Sequence, residues 1–212
     1  MMKEKVLLFM TWLWLLSGAV LATIYLAWLA YPLVIDHLKI DQVVLMTPKS
    51  IWFNFNTLMV YLTNPSVSKL HLASFSSSFE GLSHFKDVKW LFRFCQLVFL
   101  SLSVPSVRFL RRQRGQADSF TLRSFFLKAA LLPILIAFMA LFIGFDQFFI
   151  LFHHILFAGK TNWTFDPLRD PVIWILPETF FMYCFIAFFI IYEVFMCGII
   201  VTNGIKRPQK SF

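Results

Sequence analysis

Three histidines and one carboxylate carry the chemistry this chain could perform. His84 lies in Ser83-His84-Phe85-Lys86-Asp87, and His153 and His154 lie in Phe152-His153-His154-Ile155. Imidazole exchanges a proton near neutral pH more readily than other side chains. His84 and Asp87 are three residues apart, so on a helix they share a face. A carboxylate so placed fixes the imidazole tautomer and raises its basicity, as an oriented general base requires. Neighbouring side chains on a helix point about 100° apart. His153 and His154 therefore cannot both serve one small site, and the sequence leaves open which of them does. A lone histidine in such a place is better explained as a polar residue at a membrane boundary. Gathered at the ends of two apolar stretches, they point to acid–base chemistry on a lipid or a lipid-anchored substrate. A zinc site built from His71, His84, Asp87 and one of the histidine pair is the rival use. No local metal motif of the His-Glu-x-x-His kind supports it, and no metal or cofactor is expected.

Other residues merit the same weighing. The stretch Asn162–Pro171 holds Asp166-Pro167 and Asp170-Pro171, both turn formers. Within it Trp163, Arg169 and Asp170 are candidates for holding a substrate headgroup or peptide backbone. Asn162-Trp163-Thr164 fits a glycosylation sequon, a short match that arises often by chance. Asp146 is either a histidine partner or a boundary charge. Glu193 is a carboxylate inside the last apolar stretch, where ionisable groups are functional candidates by default. Its depth, nearer the cytoplasmic half than the histidines, favours a structural hydrogen bond. Cys95, Cys184 and Cys197 all fall in apolar segments, and their odd number fits neither a disulfide framework nor a zinc motif. They read as small packing residues.

The elements that must position these groups are membrane spans. Hydrophobic residues make up 59% of the 212 and charged residues 14%, where a soluble domain carries about a quarter charged. Apolar runs long enough to cross a bilayer, roughly 20 residues, occur four times: about 6–35, 90–110, 129–149 and 179–205. The first is too long for the apolar region of a signal peptide, about 7–15 residues, and is expected to be retained. The second is short between Arg93 and Arg108, whose side chains must snorkel to the headgroups.

Charge sets the orientation. Lys3, Lys5, the run from Arg108 to Lys128 and the tail together hold eleven basic residues against Glu4 and Asp118. The remaining loops are balanced. The net charge of +8 is thus confined to one face, which signals topology and contact with anionic phospholipids rather than nucleic acid. The expected fold is an all-α membrane protein: one domain, a four-transmembrane-helix bundle, N-in and C-in. Segments 36–89 and 153–178 lie outside. The first is long enough to need structure of its own. Ile51–Phe53 and Leu58–Leu62 suggest a short interfacial helix there, and Ser83 is a plausible N-cap for the helix of the second span. No ring of polar residues runs down a span, which disfavours a channel.

The two histidine segments together resemble a known family. Ser83-His84-Phe85-Lys86-Asp87-Val88 resembles a His-x-x-Asp-Val element. Phe152–Phe157, followed by Trp163, Asp166-Pro167, Asp170, Ile173 and Leu176-Pro177-Glu178-x-Phe180-Phe181, resembles a second and longer signature. Both are similar to those of the bacterial lipoprotein intramolecular transacylases (Lit), and the four-span layout agrees. The resemblance implies a diacylated lipoprotein substrate whose N-terminal cysteine bears a diacylglyceryl thioether and a free α-amine. It implies transfer of the sn-2 acyl chain to that amine, giving an N-acyl lyso-form lipoprotein. It implies that His84 and either His153 or His154 are essential, with the site facing outward from a bacterial plasma membrane. The oligomeric state is open. A membrane lipid hydrolase or intermolecular acyltransferase with the same bases is the runner-up, and a non-catalytic membrane adaptor a third reading.

Overall fold

The computed structural model describes residues 2–113 and 120–202. Its elements are α1 (Met2–His37), α2 (Ile40–Val44), α3 (Pro48–Thr63), α4 (Phe79–Gln113), α5 (Phe120–Ile143), α6 (Phe145–Leu156), a 3-10 turn at Pro171–Ile175, and α7 (Glu178–Thr202). No strand occurs among the described residues. Four helices, α1, α4, α5 and α7, are long and apolar enough to cross a membrane. Their outward faces carry Leu97, Leu100, Leu131, Leu135, Phe138, Ile190 and Val194, all exposed. Apolar surface of that extent suits lipid and not water.

Helix α4 has 35 residues, so it is roughly 52 Å long at 1.5 Å per residue. A hydrocarbon core of about 30 Å leaves turns at its ends outside. Arg93 donates to the Pro65 carbonyl and lies over the Trp90 ring at 5.6 Å.

Two compact units are distinguished. One comprises Met1–Ala22, Cys95–Phe142 and Ile186–Phe212. Its core is built from Leu8, Leu15, Ala19, Phe109, Phe126, Tyr192 and Met196. Trp12 Nε1 donates to the Tyr192 hydroxyl at 2.8 Å, which donates to the Ala129 carbonyl at 3.0 Å. Glu193 belongs to this unit; its Oε1 is buried without a hydrogen-bond partner.

The other unit, Thr23–Phe94 and Ile143–Phe185, contains every candidate site residue. Its core stacks Tyr31 on Phe55, with ring centroids 3.5 Å apart, and the Tyr31 hydroxyl donates to the Ile175 carbonyl. Helix α3 is capped by Thr47, whose Oγ1 accepts from Ser50 N at 3.3 Å, with Pro48 in its first turn. It buries Ile51, Phe55, Leu58, Met59 and Leu62 at helical spacing. The two apolar clusters expected as a short interfacial piece are one continuous helix.

Two boundaries differ from the sequence reading. The third apolar run, 129–149, crosses a break: α5 stops at Ile143, and Gly144 takes φ +83° before α6 begins. That backbone is open to glycine alone without strain. The N-cap of α4 is not Ser83. Ser78 takes that place, its Oγ accepting from Gly81 N at 2.9 Å, so the helix starts more than a turn earlier. The last run, 179–205, extends past Thr202 beyond the described residues.

Candidate active site

The start of α4 is fixed by a residue far along the chain. Asp170 is 3% exposed. Its Oδ1 accepts from Ser78 N at 2.7 Å and its Oδ2 from Ser78 Oγ at 2.6 Å. Gly81 lies against this carboxylate so closely that a Cβ would overlap Oδ1 and sit 2.8 Å from Cγ. The clasp sets the first turn of α4 and, three residues on, His84.

His84 is buried, with 6% of its surface exposed. Phe157 and Phe165 meet its ring edge-to-face, at 4.8 and 5.5 Å between centroids. Its Nδ1 is buried and has no hydrogen-bond partner. The ring of His153, from α6, lies 6.0 Å away.

His153 is oriented by backbone. Its Nδ1 is 2.7 Å from the carbonyl of Phe149, one turn back on α6. A carbonyl only accepts, so Nδ1 carries the proton and Nε2 keeps a lone pair. Phe149, Phe152, Phe157 and Trp163 surround the ring. Burial pushes the His153 pKa below the ordinary histidine value; the bond to Phe149 opposes this, and His154 adds to it. The imidazole is therefore neutral near pH 7 and able to accept a proton.

The two histidines open onto one apolar cavity of about 310 Å³. Its walls come from α1, α3, α4, α6, α7, the 3-10 turn and the preceding loop, mostly as Phe, Leu and Ile. Besides the imidazoles, its polar side chains are Thr23, Trp163 and Cys184. A greasy cavity with a few converging polar groups is what binds a lipidic ligand in a fixed orientation. No group of three or more His, Cys, Asp or Glu placed to hold a metal occurs among the described residues. The zinc set of His71, His84 and Asp87 is not assembled.

Comparison with known proteins shows the family. The family model for lipoprotein intramolecular transacylase Lit matches residues 5–181. The chain belongs to the Lit family. It is on that footing an acyltransferase. A solved structure of the membrane-integral Lit from Bacillus cereus is similar at a TM-score of 0.78 and 28% identity, covering 95% of this chain and 91% of that one. Two variants of the same Bacillus cereus protein are also similar. One, with a histidine replaced by arginine, has a TM-score of 0.72 and 26% identity, covering 95% of this chain and 91% of that one. The other, with a histidine replaced by alanine, has 0.74 and 29%, covering 95% and 90%. No curated protein matches. Like these structures, the chain is a membrane-integral protein.

Within this Lit chain the candidates separate by position. His84, His153 and Trp163 line the cavity. His154 is exposed and meets the edge of Trp163, at 5.1 Å. Arg169 is exposed and pairs with Glu80 at 3.4 Å, and Asp170 is committed to Ser78. Neither Arg169 nor Asp170 lines the cavity. Asp87 shares a helix face with His84 yet makes no hydrogen bond to it. Its Oδ1 binds Lys160 Nζ at 2.6 Å and its Oδ2 the Asn162 amide at 3.0 Å. Lys160, Asn162 and the Phe149 carbonyl are site groups that sequence reasoning missed. Asn162 carried a signal, but only as a sequon. The Phe149 carbonyl could have been anticipated from the i to i−4 spacing before His153.

Proposed function

We propose that this chain moves the sn-2 acyl group of a diacylglyceryl-cysteine lipoprotein to the α-amine of the same cysteine, with His153 as base and His84 as its partner. The amine attacks the ester carbonyl, the C–N bond forms, the C–O bond to glycerol breaks, and the amine proton ends on the glycerol oxygen. Nε2 of His153 takes that proton and returns it to the leaving oxygen. His84, whose Nδ1 has no other partner, donates to the oxyanion of the tetrahedral intermediate. Asp87 is not needed to orient either ring. The observation that carries this reading is the meeting of two imidazoles, one tethered through Nδ1, in a single apolar cavity. Ester and amine belong to one molecule, so the cavity's main task is to fold the substrate into a near-attack shape. Such preorganisation supplies up to roughly 7–11 kcal/mol. Trp163 closes the cavity beside His153 and contacts the substrate.

The distribution of basic residues supports cytoplasmic termini. The histidines then face the extracellular side of a bacterial plasma membrane, where lipoproteins are anchored.

The test mixes two lipopeptides of different sequence, one carrying an isotopically heavy sn-2 chain, with purified enzyme. Mass spectra showing heavy N-acyl only on the peptide that brought it support intramolecular transfer. Crossed labels would establish an intermolecular acyltransferase, and released fatty acid a hydrolase.

A further inference from the structure

We propose that Asp87 is the docking group for the substrate's free α-amine, and that Lys160 is an internal cation occupying it until substrate arrives. The inference rests on the transacylase reading above and adds the residue that recognises the nucleophile.

The argument begins with what Asp87 does not do. Its spacing from His84 fits a histidine-orienting carboxylate, yet both its oxygens are turned elsewhere. One holds a primary ammonium, that of Lys160, at 2.6 Å. The lipoprotein nucleophile is also a primary amine. An α-amino group ordinarily titrates at about 8, so near pH 7 it arrives mostly as an ammonium. The same carboxylate oxygen suits both.

The Lys160 contact is built to be exchanged. The lysine side chain is 50% exposed and that of Asp87 20%. An ion pair open to solvent on one side contributes little net stability, so a second ammonium can displace it without unfolding the loop. Asn162 would keep the other oxygen in place when Lys160 leaves. That amide also lies 3.3 Å from Ser83 Oγ, tying the loop to α4 independently of the lysine.

The position is right for the reaction. Residues three apart on a helix have Cβ atoms about 5–6 Å apart, so an amine on Asp87 lies about one turn from His84, which lines the cavity. Trp163, another wall residue, donates to the carbonyl of Lys160 at 3.0 Å. The amine-docking group and the acyl-chain cavity are thus neighbours along both α4 and the loop. Asp87 captures the amine as an ammonium; one proton leaves to solvent as the neutral amine forms, and a second passes through His153 to the glycerol oxygen as the C–N bond forms and the C–O bond breaks.

Binding of unreactive analogues tests this in the full-length protein. Two synthetic lipopeptides with ether-linked chains cannot transfer an acyl group; one has a free N-terminal amine and the other is N-acetylated. The wild type should prefer the free amine by on the order of tenfold, the weight of one charge-assisted hydrogen bond. Asp87→Asn should abolish that preference while binding the N-acetyl analogue as the wild type does. Lys160→Met should strengthen free-amine binding by roughly two- to fivefold, the value of an exposed ion pair, and leave the N-acetyl analogue unchanged. A preference that survives Asp87→Asn, or equal loss of both analogues, overturns the proposal and leaves the transacylase reading standing. Failure of the wild type to bind either analogue overturns both.

Discussion

Substituting alanine for glycine within a helix ordinarily stabilises it by about 1 kcal/mol. Gly81→Ala is expected to do the reverse. The new Cβ would overlap Asp170 Oδ1, lie 2.8 Å from its Cγ and 3.1 Å from Phe165 Cε1. The carboxylate must withdraw, surrendering its bonds to Ser78 N at 2.7 Å and Ser78 Oγ at 2.6 Å. Hydrogen bonds to a charged group contribute about 1.5–3 kcal/mol each. Against the gain in helix propensity, the net loss is roughly 2–5 kcal/mol. Because the clasp sets the turn that precedes His84, acyl transfer falls with it. Thermal unfolding of the purified protein in detergent reads the stability, and Gly198→Ala, where a Cβ would meet nothing within 4 Å, is the control. In an Asp170→Ala background most of the cost of Gly81→Ala should disappear, since the carboxylate is gone and only the 3.1 Å approach to Phe165 Cε1 remains. A Gly81→Ala protein that melts at or above the wild-type temperature would refute this account of how α4 is started.

Three further outcomes follow from the site and its supports. Burial holds His153 below the ordinary histidine pKa, so its imidazole stays neutral as pH falls through 6.5. The acid limb of kcat should lie below that value, and a midpoint at or above 6.5 would remove His153 from the role of buried base. Lys89 is 7% exposed and donates to the carbonyls of Tyr61 at 2.5 Å, Asn64 at 3.0 Å and Val67. Lys89→Met should cost about 2–4 kcal/mol by leaving those carbonyls at the end of α3 unpaired, read as a lower melting temperature; an unchanged melt would count against the clasp. Cys184→Trp should crowd the acyl cavity and reduce kcat/KM at least about tenfold, as overpacking of a ligand site does. Activity like the wild type's would mean the chain lies elsewhere.

The sequence exposed the four long apolar helices because hydropathy and length decide membrane crossing. It did not expose the end of α5, since apolar residues resume directly after Asp146-Gln147 and the φ of Gly144, which divides α5 from α6, is not written in hydropathy. The N-cap of α4 went to Ser78 over Ser83 for a tertiary reason. Both serines suit a cap, and the choice depends on Asp170, 92 residues away. The His84–Asp87 spacing correctly placed both on one helix face. Which neighbour the carboxylate binds was settled by Lys160, 73 residues on. The ambiguity between His153 and His154 is likewise one of rotation: adjacent residues on α6 face different surroundings, and the packing of α6 brings His153 to the cavity and leaves His154 exposed.

The most direct test of the central claim compares single alanine variants at His84, His153 and His154. Each is expressed in a bacterium lacking other lipoprotein N-acylation, and the N-terminal peptide of one lipoprotein is weighed by mass spectrometry. The account predicts N-acyl lyso-form peptide from the wild type and from His154→Ala. With His84→Ala or His153→Ala the diacylglyceryl peptide should persist with a free amine, the protein being present in the membrane at normal amount. Full conversion by His153→Ala, or its loss only in His154→Ala, would contradict the account.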